Sequence, residues 1–372
     1  MRTLLLAASA ALALALPVSA HEEPPSSSEA VGPTKTPAPA PSEIVAAAPA
    51  TDWVAIPADD LLVMTLAPDA DGSPRQVVVQ LMPAPFSQGW VHNIRKFARA
   101  KWYDGISVNR VQDNYVTQWG DPNYDNPEAT GKPKPLPEGL RVMGEADYTL
   151  TEPDPDFARL RDAFVERARL RAEVARKNEE REAAARTASR AGSPTIAMPS
   201  RLPGSALLQK DAYAEAASFV TGWQVGISRK ALWPTHCYGM VGVGRNYSPD
   251  TGSGAELYTV IGHAPRHLDR NIALVGRVID GMQHLSSLPR GSGALGFYTA
   301  EEARKRTPIL TVRMASDLAP AEQPAFEYLS TESATFATYA DAIANRRDPF
   351  FITPAGGADI CNIRVPVRRV AE

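Results

Sequence analysis

The chain has 372 residues, of which 44% are hydrophobic, and a formal net charge of −3 at pH 7. That hydrophobic content is ordinary for a globular protein, and the length allows one large domain or two. The weak negative charge, without a concentration of basic residues, argues against a nucleic-acid-binding surface.

The first twenty residues have the pattern of a secretory signal peptide. Arg2 provides the positive start, residues 4–16 form a short apolar run, and residues 18–20 have the small side chains of a cleavage site. The run is shorter than the ~20 residues that cross a bilayer, so an uncleaved membrane anchor is only the alternative interpretation. We therefore predict an exported protein without a membrane span, most simply in the periplasm of a Gram-negative bacterium.

Residues 21–50 are rich in proline, alanine, serine and threonine. This composition cannot bury enough apolar surface to offset the entropy of ordering the chain, so we predict a disordered tether. A folded domain is then predicted over residues 51–316, with an insertion at about 153–228 and a C-terminal extension at 317–372.

The folded part begins with two strand-like segments, Leu61–Leu66 and Gln76–Met82, which are separated by a hairpin loop. Trp90, Ile94 and Phe97 then recur at helical spacing, which predicts a helix that starts near residue 87. Further strands are predicted at 106–111, 115–118, 238–243, 257–261, 273–278 and 309–314, and a short helix at 281–288. Many short strands and few helices favour a closed antiparallel β-barrel over a βαβ fold.

A long charged segment interrupts this pattern. Asp154 and Pro155 have the residue types of an N-cap and a first helical position, and a run of Arg, Glu and Ala follows to about residue 191. Phe157, Leu160 and Phe164 form an apolar stripe in the first turns, whereas the later turns are polar on almost every side. We predict a helix that docks at its start and is solvated beyond, with a partner-binding arm as the alternative.

The C-terminal extension has mixed patterns. Phe336 and Ile343 fit one helical face, and residues 361–367 alternate like an edge strand. The two cysteines of the chain are Cys237 and Cys361. In an oxidising compartment they could form one disulfide, and two buried free thiols are the other interpretation.

Two segments far apart in the sequence carry the motifs with chemical meaning. Residues 103–122 contain Tyr-Asp-Gly, Asn-Arg and Gln-Trp-Gly-Asp-Pro, and residues 256–282 contain Leu-Asp, then Val-Gly-Arg-Val and Gly-Met. Together they supply an arginine, a glutamine and apolar side chains, without an obvious nucleophile–base pair. Their order and spacing resemble those of cyclophilin-type peptidyl-prolyl cis-trans isomerases, over residues 61–122 and 231–314.

The resemblance implies a mainly β, cyclophilin-like fold: a closed eight-stranded antiparallel barrel capped by two helices, here with the charged helical insertion and a mixed C-terminal extension. It also implies a site on the outer face of the barrel that needs no metal and no cofactor. The expected activity is isomerisation of X–Pro bonds in unfolded or extended, proline-containing segments of exported proteins, by a monomer. Such an enzyme stabilises a twisted amide, whose rotation barrier is ~18–20 kcal/mol, and therefore needs no nucleophile.

Individual motif positions carry the family's roles over to this chain. Arg110 matches the catalytic arginine, which donates a hydrogen bond to the prolyl nitrogen as the amide twists. The positions matched to substrate binding are Tyr115, Val116, Gln118, Gly244, Arg245, Glu256, Tyr258, Leu268 and Ile272.

The sequence departs from the family pattern at several positions. Asn109 replaces the family's usual histidine, and Trp119 replaces a glycine. Glu256 replaces a glutamine, and Ile272 replaces a histidine. Glu256 would add a negative charge beside Arg110, where it could hold the guanidinium away from substrate. A catalytically weak peptide-binding chaperone and an envelope scaffold built on the insertion and tail are therefore the alternatives to an efficient enzyme.

A zinc hydrolase that uses His236, Cys237, His263 and His267 is a further alternative, because these residue types bind zinc. Pro265 separates His263 from His267, so the two cannot share a regular helical face, and no glutamate follows a histidine in a metalloprotease pattern. The spacing therefore disfavours a hydrolase.

Overall fold

The computed structural model describes residues 38–124, 126–190 and 208–370. The signal peptide predicted for residues 1–20, and the predicted tether as far as residue 37, lie outside these ranges. The described residues fall in one compact unit that begins at Ala38.

The strands of the described residues are numbered in chain order. They are β1 (Trp53–Ala55), β2 (Leu61–Leu66), β3 (Arg75–Leu81), β4 (Ser107–Val111), β5 (Val116–Gly120), β6 (Leu208–Gln209), β7 (Ala216–Val220), β8 (Trp223–Ile227), β9 (Leu232–Pro234), β10 (Met240–Val243), β11 (Leu257–Val260), β12 (Leu274–Asp280), β13 (Ile309–Met314), β14 (Phe326–Leu329) and β15 (Val367–Arg369).

The α-helices are α1 (Pro41–Ala46), α2 (Gln88–Arg99), α3 (Pro155–Arg190), α4 (Gln283–Ser286) and α5 (Ala334–Ala344). Helix α1 lies inside the segment that we predicted to be a disordered tether. It contacts α5, and its apolar side chains pack against the main core. The tether prediction is therefore wrong for residues 38–50, because a short apolar stretch among the prolines finds a surface to cover.

Eight strands form an antiparallel sheet in the order β13-β2-β3-β12-β10-β11-β5-β4. The two edge strands meet, since Gly105 N donates to Ile309 O (2.9 Å), Ile309 N to Ile106 O (2.8 Å) and Val108 N to Thr307 O (2.9 Å). These bonds close the sheet and confirm the predicted eight-stranded barrel. Helix α2 covers it with the predicted stripe, in which Trp90 is fully buried.

Both faces of β2 and β3 are buried. Leu62 and Met64 face the main core, whereas Leu61 and Val63 belong to a second apolar cluster with Phe326 of β14. The sheet β1-β14-β15 supplies this second layer. The C-terminal extension thus covers the outside of the barrel, which explains why β2 is almost continuously apolar instead of alternating.

Helix α3 docks at its start as predicted, with Phe157, Leu160 and Phe164 buried in the main core. The rest of the insertion contains a sheet in the order β6-β7-β8-β9, which the sequence interpretation did not include. This sheet extends to Pro234, beyond the predicted end of the insertion at 228.

The predicted edge strand at residues 361–367 is only partly present. Cys361 lies in a 3-10 turn, and the last strand starts at Val367. Cys361 instead forms a disulfide with Cys237, which joins the extension to the segment before β10. Among the helices of the described residues, none combines the length and the hydropathy that a membrane crossing requires.

Candidate active site

A cavity of about 460 Å³ lies on the outer face of the barrel, beside β4, β5 and β11. Val116, Tyr258 and Val260 form a small apolar cluster there, separate from the main core, because strand residues alternate between the two faces of a sheet. The predicted residues that line the cavity are Arg110, Tyr115, Val116, Gln118, Gly244, Arg245, Tyr258, Leu268 and Ile272. Glu256 is the predicted residue that lies behind this lining.

Arg110 is held beside the cavity by three acceptors. Its Nε donates to Leu295 O (2.7 Å), its Nη1 donates to Gln118 Oε1 (3.1 Å), and its Nη2 donates to Gln112 Oε1. Its guanidinium also lies over the ring of Tyr115, 5.6 Å from the centroid. Burial lowers the pKa of Arg110, although the guanidinium stays charged at neutral pH.

The loop that supports Arg110 was not predicted. Leu295 has a left-handed backbone, with φ of 54°, which residues other than glycine rarely adopt. Phe297 forms a β-bridge with Arg110 and lies 5.5 Å below its guanidinium. Backbone strain of this kind costs on the order of 1–3 kcal/mol and persists where the surroundings demand it. Here the conformation directs the Leu295 carbonyl towards Arg110.

Gln118 lies between Arg110 and Glu256. Its Oε1 accepts from Arg110, and its Nε2 donates to Glu256 Oε2 at 3.5 Å, so the two partners fix the orientation of the amide. A Cβ atom on Gly120 would lie 1.8 Å from the Glu256 carboxylate, so only glycine leaves room for that side chain. Glu256 is therefore linked to Arg110 by two hydrogen bonds, both of which Gln118 makes.

Tyr258 contributes a ring with a fixed hydroxyl group. His236 Nε2 lies 2.9 Å from this hydroxyl oxygen, and His236 Nδ1 lies 2.9 Å from Asp269 Oδ1. Because a carboxylate can only accept, Nδ1 carries the ring proton and donates to Asp269, and Nε2 accepts a hydrogen bond from the Tyr258 hydroxyl. A Cβ atom on Gly242 would lie 2.3 Å from the hydroxyl oxygen, so this glycine makes room for it.

The chain of buried groups continues away from the cavity. Asp269 Oδ2 accepts from Arg266 Nε at 2.6 Å, and Arg266 binds both oxygens of Asp211, at 2.8 and 3.1 Å. Burial lowers the pKa of His236, and the hydrogen bond to Asp269 opposes this only in part. Burial alone would raise the pKa of Asp269, but its bonds to His236 and Arg266 bring it below the ordinary value. Tyr258 is therefore positioned by residues of the insertion as well as the barrel.

Sequence reasoning missed His236 and Asp269 as supports of the site. The one available signal was that position 258 carries tyrosine, whose buried hydroxyl needs a partner. The same contacts weaken the zinc alternative, since both ring nitrogens of His236 have partners and Cys237 is in the disulfide. Within the described ranges, no group of three or more His, Cys, Asp or Glu could hold a metal ion.

Gly244 and Arg245 form one rim of the cavity. Gly244 N donates to Glu256 O (2.8 Å), and Arg245 donates to the backbone oxygens of Asn271 and Asn246. Leu268 and Ile272, both half-buried, add apolar surface to the lining. The arrangement can grip an apolar ring beside a fixed cation.

The sequence matches the family model described as "Cyclophilin type peptidyl-prolyl cis-trans isomerase/CLD" over residues 76–316. This match covers more than half of the chain. The protein therefore belongs to the cyclophilin-type peptidyl-prolyl cis-trans isomerase family. A search of curated proteins found no significant match.

One solved structure supports the fold, and a second is similar over a smaller share of this chain. The cyclophilin AquaCyp293 from Hirschia baltica is 18% identical, with a TM-score of 0.52, and the match covers 85% of this chain and 93% of that one. A cyclophilin type peptidyl-prolyl cis-trans isomerase from Cryptosporidium parvum, solved in the presence of the dipeptide Ala-Pro, is 9% identical, with a TM-score of 0.31. That match covers 68% of this chain and 98% of the other.

Proposed function

We propose that the protein is a peptidyl-prolyl cis-trans isomerase that acts on X–Pro bonds in extended segments of exported proteins. The observation that carries this proposal is Arg110, a charged and half-buried guanidinium fixed at the edge of a cavity with apolar walls. Family membership supports the same activity.

The geometry suits rotation of an amide. When the X–Pro bond twists, resonance is lost and the prolyl nitrogen regains a lone pair that can accept a hydrogen bond. A donor such as Arg110 then binds the twisted state more strongly than the planar one, which lowers the barrier. Tyr115, Val116 and Tyr258 offer apolar surface that would hold the pyrrolidine ring while the preceding carbonyl turns.

Substitution of Arg110 tests this proposal. We expect Arg110→Ala to lower kcat/KM for a proline-containing peptide about 100- to 1000-fold, the usual cost of removing one donor that acts on the transition state. The matched control is Arg99→Ala, which removes an exposed arginine of α2 that pairs with Asp59 and Asp317. Equal rates with and without the wild-type protein would rule out the enzyme.

A second function, a peptide-binding chaperone with little catalysis, is favoured by one observation. The amide of Gln118 is already bonded on both sides, to Arg110 and to Glu256. A substrate backbone must therefore bind the remaining N–H or lone pair of an amide that these two partners hold in one orientation, which would weaken catalysis more than binding. Binding of proline-containing peptides without faster isomerisation would select this function.

We also propose that the protein acts in the periplasm after removal of residues 1–20. The apolar N-terminal run and the disulfide both suit an oxidising compartment. Expression of the full chain in a Gram-negative host should give a periplasmic product that begins at His21, as measured by fractionation and intact mass. An unprocessed product in the cytosolic fraction would contradict this localisation.

A further inference from the structure

A second cavity, of about 340 Å³, lies between β12, the start of α4 and the C-terminal extension. It shares no lining residue with the cavity beside Arg110. Its volume falls in the range of small-ligand sites. It is about ten times the volume that one molecule occupies in liquid water. Val278, Ile279, Met282 and Val365 give it apolar walls.

Arg277 brings a buried positive charge to this cavity. The residue is 8% exposed; its Nε donates to Gln80 Oε1 (2.9 Å) and its Nη1 donates to Gly222 O (2.8 Å). Its guanidinium also lies 4.5 Å from the centroid of the Trp223 ring. Within the described part of the chain, Nη2 has no hydrogen-bond acceptor and Arg277 has no ion pair.

This charge is costly without a counter-ion. Burial lowers the pKa of Arg277 to about 10, so the side chain is still charged at neutral pH. A buried charge that lacks a partner is unfavourable, and a guanidinium binds carboxylates especially well. Asp280 also lines the cavity, but it is paired with Arg369 at 2.6 Å. Arg364, which stacks on Tyr238, adds a second cation to the lining.

Gln224 also lines this cavity, and its side chain carries an unpartnered acceptor. Its Nε2 donates to Ile363 O (3.1 Å), which fixes the orientation of the amide. Its Oε1 is buried and has no donor among the described residues, and the side chain is 4% exposed. A ligand for this cavity should therefore carry both an anionic oxygen and an N–H group.

A carboxyl-terminal amino acid with its amide N–H has this combination of groups. We propose that the cavity binds the α-carboxylate end of a peptide or N-acylated amino acid. The carboxylate pairs with Arg277, the amide N–H donates to Gln224 Oε1, and an apolar last side chain packs against Val278 and Val365. This assignment is independent of the isomerase proposal, because no group of the Arg110 cavity takes part.

Titration calorimetry of the full chain with N-acetylvaline tests the assignment. We expect a dissociation constant of about 1 mM or tighter, and at least tenfold weaker binding of N-acetylvalinamide, which lacks the carboxylate. Equal binding of the acid and the amide, or no binding of either, would overturn it. Inorganic phosphate that binds as tightly as N-acetylvaline would also overturn it, since the site would then select only charge.

Variants assign the binding to this cavity. Arg277→Met should weaken binding of N-acetylvaline at least tenfold, whereas Arg99→Met on α2 should not change it. Gln224→Met, which removes only the acceptor, should weaken binding about three- to tenfold and keeps the test available if Arg277→Met does not fold. Unchanged affinity in Gln224→Met would refute the role of the amide. Arg110→Ala should bind N-acetylvaline normally, so failure of the isomerase proposal leaves this result intact.

Discussion

Tyr258 shows how single residues adapt the family's site in this chain. The hydroxyl of Tyr258 lies on a residue that is only 4% exposed, so it must be accommodated in a buried place. Gly242 leaves room for this hydroxyl, and His236 Nε2 accepts a hydrogen bond from it at 2.9 Å. An unpartnered buried hydroxyl would cost about 1–3 kcal/mol, so the three residues act as a set.

The buried His236 makes stability depend on pH. Its folded-state pKa is lowered, so the unfolded chain takes up the proton more readily than the folded one. Its stabilisation is therefore complete above the unfolded pKa of about 6.5 and is lost as the pH falls through that value towards the folded pKa. We expect the free energy of unfolding, measured with urea, to fall between pH 7.5 and pH 5.

His236→Gln should flatten that dependence. The pKa of His92 is also lowered, mainly by desolvation, but this residue is only partly buried, and His92→Gln serves as the control that keeps most of the slope. If the pH dependence of the free energy of unfolding is unchanged in His236→Gln and absent in His92→Gln, the prediction is contradicted and the effect belongs to His92.

Glu256 is the departure that bears most directly on catalysis. Its carboxylate holds Gln118, which in turn holds Arg110. Glu256→Gln keeps the shape of the side chain and weakens this bond, which leaves Gln118 freer to bind substrate. We expect kcat/KM for a proline-containing peptide to rise roughly three- to tenfold. A fall in kcat/KM, with the exposed Glu322→Gln unchanged, would show that the charge assists the reaction.

At the scale of elements, the barrel could be predicted because its apolar residues occur in runs of strand length and, in α2, at helical spacing. Leu61–Leu66 and Ile309–Met314 coincide with strands β2 and β13. The small sheet of the insertion was missed, although Thr221 and Gly222 lie between two strand-like runs. Both have positive φ, which is typical of a two-residue hairpin turn. The charged helix before this hairpin instead indicated that most of the insertion is a solvated helix.

Contacts between distant elements were beyond prediction. Phe219 of β7 and Phe336 of α5 pack edge-on, with ring centroids 4.9 Å apart, and thereby join the insertion to the C-terminal extension. Each residue alone fits an ordinary core position, and only the fold brings them together. The same holds for His236 and Tyr258, which no local pattern connects.

The disulfide ties the C-terminal extension to the barrel. It joins cysteines 124 positions apart, and a cross-link over so long a segment restricts the unfolded chain strongly. We expect the double substitution Cys237→Ser and Cys361→Ser to lower the free energy of unfolding by about 2–5 kcal/mol. Denaturation of wild type with and without reductant is the control, and identical curves for all samples would contradict the prediction.

At the scale of the whole molecule, the described parts of the extension and the insertion pack on the barrel and contribute no residue to the lining of the Arg110 cavity. The sheet β1-β14-β15 packs on β2 and β3, and Asp211 of the insertion pairs with Arg266 of the barrel behind the site. Loops that include Leu295 and Tyr247 border the cavity, and both side chains are mostly exposed. Neither the extension nor the described part of the insertion therefore blocks an extended polypeptide from this cavity.

Exchange NMR of an Ala-Pro peptide tests the central claim most directly, since it measures bond rotation and binding in one sample. We predict that catalytic amounts of wild-type protein produce cis–trans exchange far faster than the uncatalysed process of tens of seconds or longer. Arg110→Lys, which keeps the charge but loses the planar donor, should still bind the peptide and exchange it at least tenfold more slowly. Wild-type protein that binds the peptide while exchange stays at the uncatalysed rate would contradict the account.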